Sequence, residues 1–481
     1  MSSRRTNFGQ NVAIEPSLLV TPIDTNEVLA CLRTHRDRQI RVLGSLHSWS
    51  EAAKPDDVAL DLQHFDQIAL GSSGDATGGQ YVEVGAGCTV ARVLDYLHRH
   101  GRYTLPVYGV VATQTVAGAV STATHGSGRP SMSHYVLAAS VAAYDAGSRE
   151  PRVFRWESGD ELSAVRCGLG CTGVLLSIRL RIEPDFQIEE RGQWYERLDA
   201  LLAETEHYPR SQFYLMPWSW KWYAQLRRPV SADAARAPGI VARVLRLFRL
   251  VIIDVFMHGV ISALANSPRK RRHIPWLFQR VLPLLAPSGV RVIDDSRRLL
   301  TVRHDLFTHV ECEIFVPEAH LLRAAALVEW ALRCCGGEGQ PPNHQEIATF
   351  FGLEATGAID SLKGLYLHDY LVTFRRVLRD DTMISMTSGE NETWYAISLI
   401  TYQRDLAPFH RLTRLLAGTM TRVLGARTHW GKLCPLETDE IAAVYPRLQE
   451  FRAHCAAVDP SQMFVNQFAR RALGFPPPPQ R

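Results

Sequence analysis

Lysine is scarce in this chain of 481 residues: of 53 basic residues only Lys54, Lys221, Lys270, Lys363 and Lys432 are lysines. Arginine carries nearly every positive charge, so a lysine held inside a motif asks for a compact ammonium where a planar fork would not serve. Also missing are a CxxC pair, an HExxH helix and any spaced Cys/His set, and the reading is therefore of no metal site. The nine cysteines form no paired framework. The opening MSSRRTNFGQNVAIEP has two arginines but no apolar stretch behind them, which reads as no secretory signal, a cytoplasmic, reducing location and buried, inert thiols. With 33 Gly and 26 Pro a collagenous or low-complexity chain is excluded, and only the tail PPPPQR reads as a disordered end. A net charge of +4 gives no electrostatic footprint for nucleic acid.

What remains is 46% hydrophobic and 21% charged, too long for one small core, so two domains or one large domain with a cap are expected. RQIRVLG, DVALDL, YVEVGAG and VLLSIRLRI read as strands between residues 38 and 182, and VARVLDYLHRHG as a helix closed by its final Gly. Beyond Glu183-Pro184-Asp185 the texture mixes helices with strands such as HVECEIFVP, YLVTFRRV and WYAISLITY. Residues 437–456 read as one helix before an Asp459-Pro460 stop. The fold class is α+β. Residues 240–265 are strongly apolar but are interrupted by Arg243, Arg246, Arg249 and Asp254, and Arg269 to Arg272 follow. A span needs about 20 mostly uncharged residues. The segment therefore reads as a basic amphipathic helix with its three arginines on one face, suited to a membrane surface or to a cap with those arginines in solvent.

Three Gly-containing loops carry the chemistry. GLGCTG at 168–173 fits GxGxxG, but the following VLLSIRLRI alternates like a strand where a dinucleotide fingerprint needs a helix, so that reading is rejected. Arg41 to Ser48 is a strand running into a Gly turn whose successive N–H groups can nest phosphate oxygens; a plain strand turn with a surface His is the alternative. Thr113 to Gly128 is rich in small residues, which let backbone approach a ligand closely, and in hydroxyl donors. A small-residue helix packed on a sheet is the alternative there, and the THGSG end argues against it.

Together these loops resemble the flavoprotein family of vanillyl-alcohol-oxidase fold, in its aldonolactone/alditol oxidase branch. The resemblance rests on TNFGQNV (6–12), IRVLGSLHSWSEAA (40–53), VATQTVAGAVSTATHGSG (111–128), GLGCTGVL (168–175), RDDTMISMTSG (379–389), THWGKLCP (428–435) and DPSQMFVNQFARRALG (459–474), in the family's order. It implies a two-part FAD-binding domain of PCMH type over 1–184, an α+β substrate or cap domain over 185–430 with the apolar basic insertion at 240–272, and a segment 431–481 completing the flavin site. It implies bound FAD, held by Val42, Gly44, Ser45, Leu46, His47, Ser48, Thr115, Gly118, Ser121, Thr124, His125, Gly126, Gly173 and Val174. His47 is then joined to the flavin 8α-methyl. Val110-Val111-Ala112 stand where bicovalent relatives have a second, cysteine link, so a single link is expected.

On the substrate side the branch presents a Glu-x-Arg pair upstream of its Asp-Asp motif; here the positions hold Thr373 and Arg375. A carboxylate accepts two hydroxyl donors, a threonine offers one short hydroxyl. Arg376 stands where the family is apolar. Lys432 in HWGK and Arg375 are expected to hold the reacting oxygen; His429 is either functional or a packed core residue, and Glu313 either lines the pocket or is structural. The implied activity is transfer of hydride from a CH–OH group of a sugar-derived lactone or polyol to FAD, with O₂ or another acceptor reoxidising it. The alternatives are a bulkier, less polar lipid-linked sugar or sterol-like substrate at a membrane surface, and a flavin-binding protein without turnover.

Overall fold

Alternating and continuous apolar runs pair into two sheet systems in the computed structural model, which describes residues 5–72, 79–230, 240–286, 288–303, 306 and 308–477. Residues 478–481 of the proline tail lie outside the described residues. Leu18–Val20, Val58–Asp61 and Ile40–Leu43 form a three-stranded parallel sheet in that order, a pairing that needs a crossover; helix Thr25–Thr34 supplies it. Asp24 starts that helix by accepting the Glu27 N–H at 2.9 Å. Beside it lies a five-stranded antiparallel sheet ordered Pro151–Trp156, Val136–Tyr144, Val174–Arg181, Gln80–Gly85, Ile68–Ser72. Helix Val90–Gly101 turns Val90, Val93, Leu94 and Leu97 into the core shared with both sheets.

That helix stops one residue later than its sequence implied. Gly101 is still helical, and Arg102 takes the left-handed conformation at φ 56°. Gly101 serves packing: a Cβ there would meet the Tyr103 ring at 2.5 Å. The single helix expected over 437–456 is two, Thr438–Val444 and Leu448–Val458. Pro446 divides them, because it lacks an N–H and pushes Tyr445 out of helical geometry.

The second system is an eight-stranded sheet, ordered Arg291–Asp295, Gln187–Tyr195, Lys221–Val230, Gln212–Met216, Val372–Leu378, Thr393–Thr401, Val310–Pro317, Arg427–Thr428, with every neighbouring pair antiparallel. Its side chains alternate between two very different neighbours. Phe213, Phe374, Ile397, Leu399, Cys312 and Ile314 point to one face and join the core with helices Leu321–Cys335 and Ala407–Leu424. Gln212, Tyr214, Thr373, Arg375, Ser398, Glu311 and Glu313, one residue out of phase, face a cavity. A strand buried on both faces reads as continuous, and Val310–Pro317 is buried at every position.

The chain's end returns to its beginning. The Ile40 N–H donates to the Met463 carbonyl at 2.8 Å, and Val458, Met463 and Phe464 complete the first core. The Asn466 amide donates to the carbonyls of Glu51, Ala52 and Lys54 at 2.8–3.3 Å.

The apolar insertion forms helix Ile240–Phe248, π-helical turns Arg249–Met257 and helix His258–Ala265. Contrary to the sequence reading, Arg246–Ala265 is long and apolar enough by length and composition to cross a membrane, 20 residues at mean hydropathy 1.9. The arginine stripe is also broken, because Arg246 pairs inward with Asp294, whose side chain is fully buried. Met257, Ile261 and Ala265 are buried against Trp218, Phe278 and Tyr402.

Candidate active site

A cavity of about 1010 Å³ is lined by both sheet systems and by the 240–265 segment. Its first part is built by the two loops singled out in the sequence. Strand Ile40–Leu43 runs into Gly44, where a Cβ would stand 2.5 Å from the Thr115 hydroxyl; only glycine lets the two loops meet. Leu46 then turns at φ 57°, aiming His47 back across the cavity wall, where its Nε2 lies 3.1 Å from the Thr113 hydroxyl and its ring stacks on Phe8 at 5.2 Å. Thr115 caps helix Val116–Ser121 by accepting the Gly118 N–H at 3.3 Å. The small residues do form a helix, but a short one, and the chain leaves it before His125. Gly173, at φ 118° and with the Ala142 carbonyl 2.7 Å from where a Cβ would stand, ends the GLGCTG turn and leads straight into strand Val174–Arg181, as the rejection of a dinucleotide fingerprint requires.

Of the flavin-contacting residues expected, Val42, Gly44, Ser45, Leu46, His47, Ser48, Thr115, Gly118, Ser121, Thr124, His125 and Gly173 line this cavity. Gly126 and Val174 do not. The Gly126 carbonyl lies 2.9 Å from Nδ1 of His125, and the Val174 side chain is in the core because its strand begins there.

The four residues expected on the substrate side meet in one place. Strand Val310–Pro317 presents Glu311 and Glu313 two residues apart, hence on one face. Glu313 is 1% exposed and is held by Ser398 Oγ at 2.7 Å, His125 Nε2 at 3.2 Å and an Arg375 guanidinium nitrogen at 3.6 Å. Burial alone would raise this carboxyl; the neighbouring His125, which also hydrogen-bonds it, and the Lys432 ammonium hold it well below the ordinary range, so it stays ionised. His429 is pushed down to about 3 by burial, so it is neutral, and its Nδ1 accepts the Gly431 N–H at 2.9 Å, which puts the ring proton on Nε2. Arg375 also donates from Nε to the Gln212 amide oxygen at 3.2 Å. Lys432 pairs with Glu311, and its ammonium sits 4.0 Å over the Trp49 ring.

Glu311 and Trp49 were not picked out from the sequence; the two-residue spacing Glu311-x-Glu313 on a strand is the signal that would have found the first. Ligand atoms of His125, Glu313 and His429 lie within 4.8 Å of one another, close enough to hold an ion, but the carboxylate is already engaged by Ser398, His125 and Arg375. Arg376, one residue out of phase with Arg375, leaves the cavity and reaches the Thr393 hydroxyl at 3.4 Å. Thr373 is buried and lines the cavity beside Tyr214.

Residues 178–472 match the family model described as D-arabinono-1,4-lactone oxidase, and residues 16–148 match an FAD binding domain. The chain belongs to the D-arabinono-1,4-lactone oxidase family. It is an FAD-dependent oxidoreductase of CH–OH donors with the vanillyl-alcohol-oxidase fold, as the seven ordered motifs implied. Among relatives of this family, it is 39% identical over 473 residues to a long-chain alcohol oxidase of an uncultured marine euryarchaeote, covering 98% of this chain and 97% of that one. It is 23% identical over 482 residues to an L-gulono-1,4-lactone dehydrogenase of Mycobacterium tuberculosis, covering 98% and 100%. A solvent-stable cholesterol oxidase shares the fold, with TM-score 0.77 at 14% identity over 98% of each chain.

The residues of this family member fit the cofactor on grounds independent of the matches. Among the described residues Arg41, 4% exposed, donates only to the carbonyls of Phe464, Ala52 and Leu169 and to Cys171 Sγ, and its Nε has no partner. A buried cation without a carboxylate is costly unless an anion joins it, and Arg41 lines the cavity beside the Gly44 nest. Gln114 Oε1, also buried and without a partner, lines the same wall.

Proposed function

We propose that this family member oxidises the terminal CH₂–OH of a long-chain, apolar alcohol to the aldehyde while lying peripherally at a membrane surface. FAD is carried on His47, and residues 1–184 and 431–481 act as the flavin-holding part and 185–430 as the substrate part. The sequence left open a sugar-derived lactone or polyol and a bulkier lipid-linked sugar or sterol-like substrate; a long-chain alcohol is neither, but it shares the low polarity of the second. The observation that carries it is the wall beyond Arg375 and Lys432: Met216, Phe248, Leu250, Leu282, Leu285 and Ile400 follow, with Thr373 where a polyol-binding carboxylate would stand. Burying methylenes is worth about 0.8 kcal/mol each, so a long alkyl chain gains most from such a wall. The 39% identical relative, itself a long-chain alcohol oxidase, supports the same class.

When bound, FAD would supply the redox chemistry, a two-electron acceptor for the hydride of the alcohol carbon that O₂ or another acceptor reoxidises. The protein's share is to seat the hydroxyl and relieve it of its proton. Arg375 and the Lys432 ammonium direct positive charge at the alcohol oxygen, which lowers its hold on the proton. Glu311, already facing Lys432, is the acceptor for that proton. Glu313, held ionised, keeps Arg375 and His125 in place. The Thr113 hydroxyl beside Nε2 of His47 fixes the ring that joins the flavin.

An anaerobic mixing series tests this reading. 1-Dodecanol dispersed in neutral detergent should bleach the flavin's visible absorbance far faster than sorbitol or an aldonolactone at equal concentration. Faster reduction by sorbitol or the lactone would overturn it. In the same preparation, acid-denatured protein should keep its flavin fluorescence on a gel, and His47→Ala should lose it; release of all flavin from the unaltered protein would refute the covalent link.

A further inference from the structure

The segment Ile240–Ala265 answers two different surroundings at once. Inward, Arg246, Phe248, Leu250 and His258 line the cavity, and Arg246 pairs with the buried Asp294. Outward, Val244, Leu247, Val251, Val255 and Phe256 are 44–62% exposed. Trp276, at 59%, and Leu284, at 81%, extend this face from the short helices Ile274–Arg280 and Leu282–Leu285 that follow. Large apolar side chains grouped this way in water mark a surface that something covers.

Leu250 and Leu306 both line the cavity, yet are 41% and 50% exposed, so one of its mouths opens within this apolar face. The same region carries Arg243, Arg269, Lys270 and Arg272, all exposed, and among the described residues none of them has a carboxylate partner.

We propose that this face docks on an anionic lipid bilayer and that the mouth between Leu250 and Leu306 takes its alcohol directly out of the acyl layer, without passage through water. The proposal rests on the long-chain reading above. Charge complementarity selects the occupant: cations without acidic counterparts flank an apolar patch, the combination that anionic headgroups over acyl chains satisfy. The helix lies on the bilayer and does not span it, because Arg246, Met257, Ile261 and Ala265 tie its other face into the fold. The mouth thus faces the phase in which a long-chain alcohol is concentrated.

The test uses the full-length, FAD-loaded protein and two double variants outside the cavity lining, Leu247→Asp with Phe256→Asp, and Arg269→Glu with Arg272→Glu. The unaltered protein should sediment with phosphatidylglycerol vesicles and much less with phosphatidylcholine vesicles, and each variant should bind the former about tenfold more weakly. Turnover of 1-hexadecanol supplied in phosphatidylglycerol vesicles should fall by about the same factor in both variants, while turnover of water-soluble 1-hexanol stays unchanged. Sedimentation indifferent to lipid charge and to both variants would overturn the proposal. So would retention of the protein in alkaline carbonate, which means a span, or a lipid-free dimer lost in the Leu247→Asp variant, which assigns the face to a second copy. If the protein oxidises detergent-dispersed 1-hexadecanol yet binds no vesicles, the docking surface alone fails. If it binds vesicles yet oxidises no long-chain alcohol in either medium, the substrate reading fails and takes uptake from the bilayer with it.

Discussion

The cavity is built by opposite means at its two sides. Around Glu313 every charge is answered: a carboxylate 1% exposed is met by Ser398, His125 and Arg375, and Lys432 is met by Glu311 and the Trp49 ring. Around the 240–265 segment the Arg246–Asp294 pair and the buried Met257, Ile261 and Ala265 hold one face, while Val244, Leu247, Val251, Val255 and Phe256 on the other are left largely to their surroundings. Under the function proposed above, the first arrangement would hold a reacting oxygen, since groups that must stabilise developing charge gain from not having to reorganise. The second would then suit chains of differing length, which a rigid wall would sort by size.

Substitutions of similar size should therefore have very unequal effects on the two sides. The largest is Glu313→Gln, which removes the charge that His125 and Arg375 share. Breaking a buried pair from one side costs about 3–5 kcal/mol, and denaturant melts of the variant should show a loss of that order. A loss below about 0.5 kcal/mol would erase the contrast. Next is Lys432→Ala. Anaerobic reduction by alcohol should slow by about 10²–10³ while FAD stays bound, and an unchanged reduction rate would remove the lysine from the chemistry.

A smaller effect separates the two sides by pH. Asp369, fully buried next to the cavity residues Tyr370 and Leu371, accepts from the Tyr402 N–H and the Thr401 hydroxyl, but burial still pushes it up to about 7. A carboxyl raised on folding ionises at the folded state's expense. Its contribution is thus lost as pH climbs from the unfolded value near 4 toward 7 and stays lost above. The protein should lose roughly 2–3 kcal/mol of stability from this group between pH 5 and 8, at 1.4 kcal/mol per unit within that window. Calorimetry on Asp369→Asn should show that part of the pH dependence gone, and identical profiles for both proteins would refute it. The smallest effect belongs to the cap: Phe256→Ser, at a position 59% exposed, should change stability by no more than about 0.5 kcal/mol in lipid-free solution.

How much of this was legible in sequence follows the range of each interaction. The Gly44 turn, the Thr115–His125 run and HWGK were readable because a nest, a cap and a motif are set within a few neighbouring residues. The partners were not. His125 and Glu313 are 188 residues apart, and Lys432 and Glu311 are 121 apart, so only the packing of loops against the sheet brings them together. Arg246 was taken for part of a basic stripe with Arg243 and Arg249 because helical spacing records a face but not what the face meets. Here it meets Asp294, from strand Arg291–Asp295. The single helix over 437–456 failed for a local reason, the weight of Pro446, that was open to view.

The return of the chain's end to its beginning sets an order of events during synthesis. The Phe464 carbonyl holds Arg41, and the Asn466 side chain holds the carbonyls of Glu51, Ala52 and Lys54, on either side of the turn that carries His47. A ribosome that has made the whole of residues 16–148, the match to an FAD binding domain, has therefore not yet supplied the groups that brace its first loop. That brace forms only once residues 463–466 have been made, and a chain cut short near residue 458 keeps the Gly44 turn and the Thr115 helix without it.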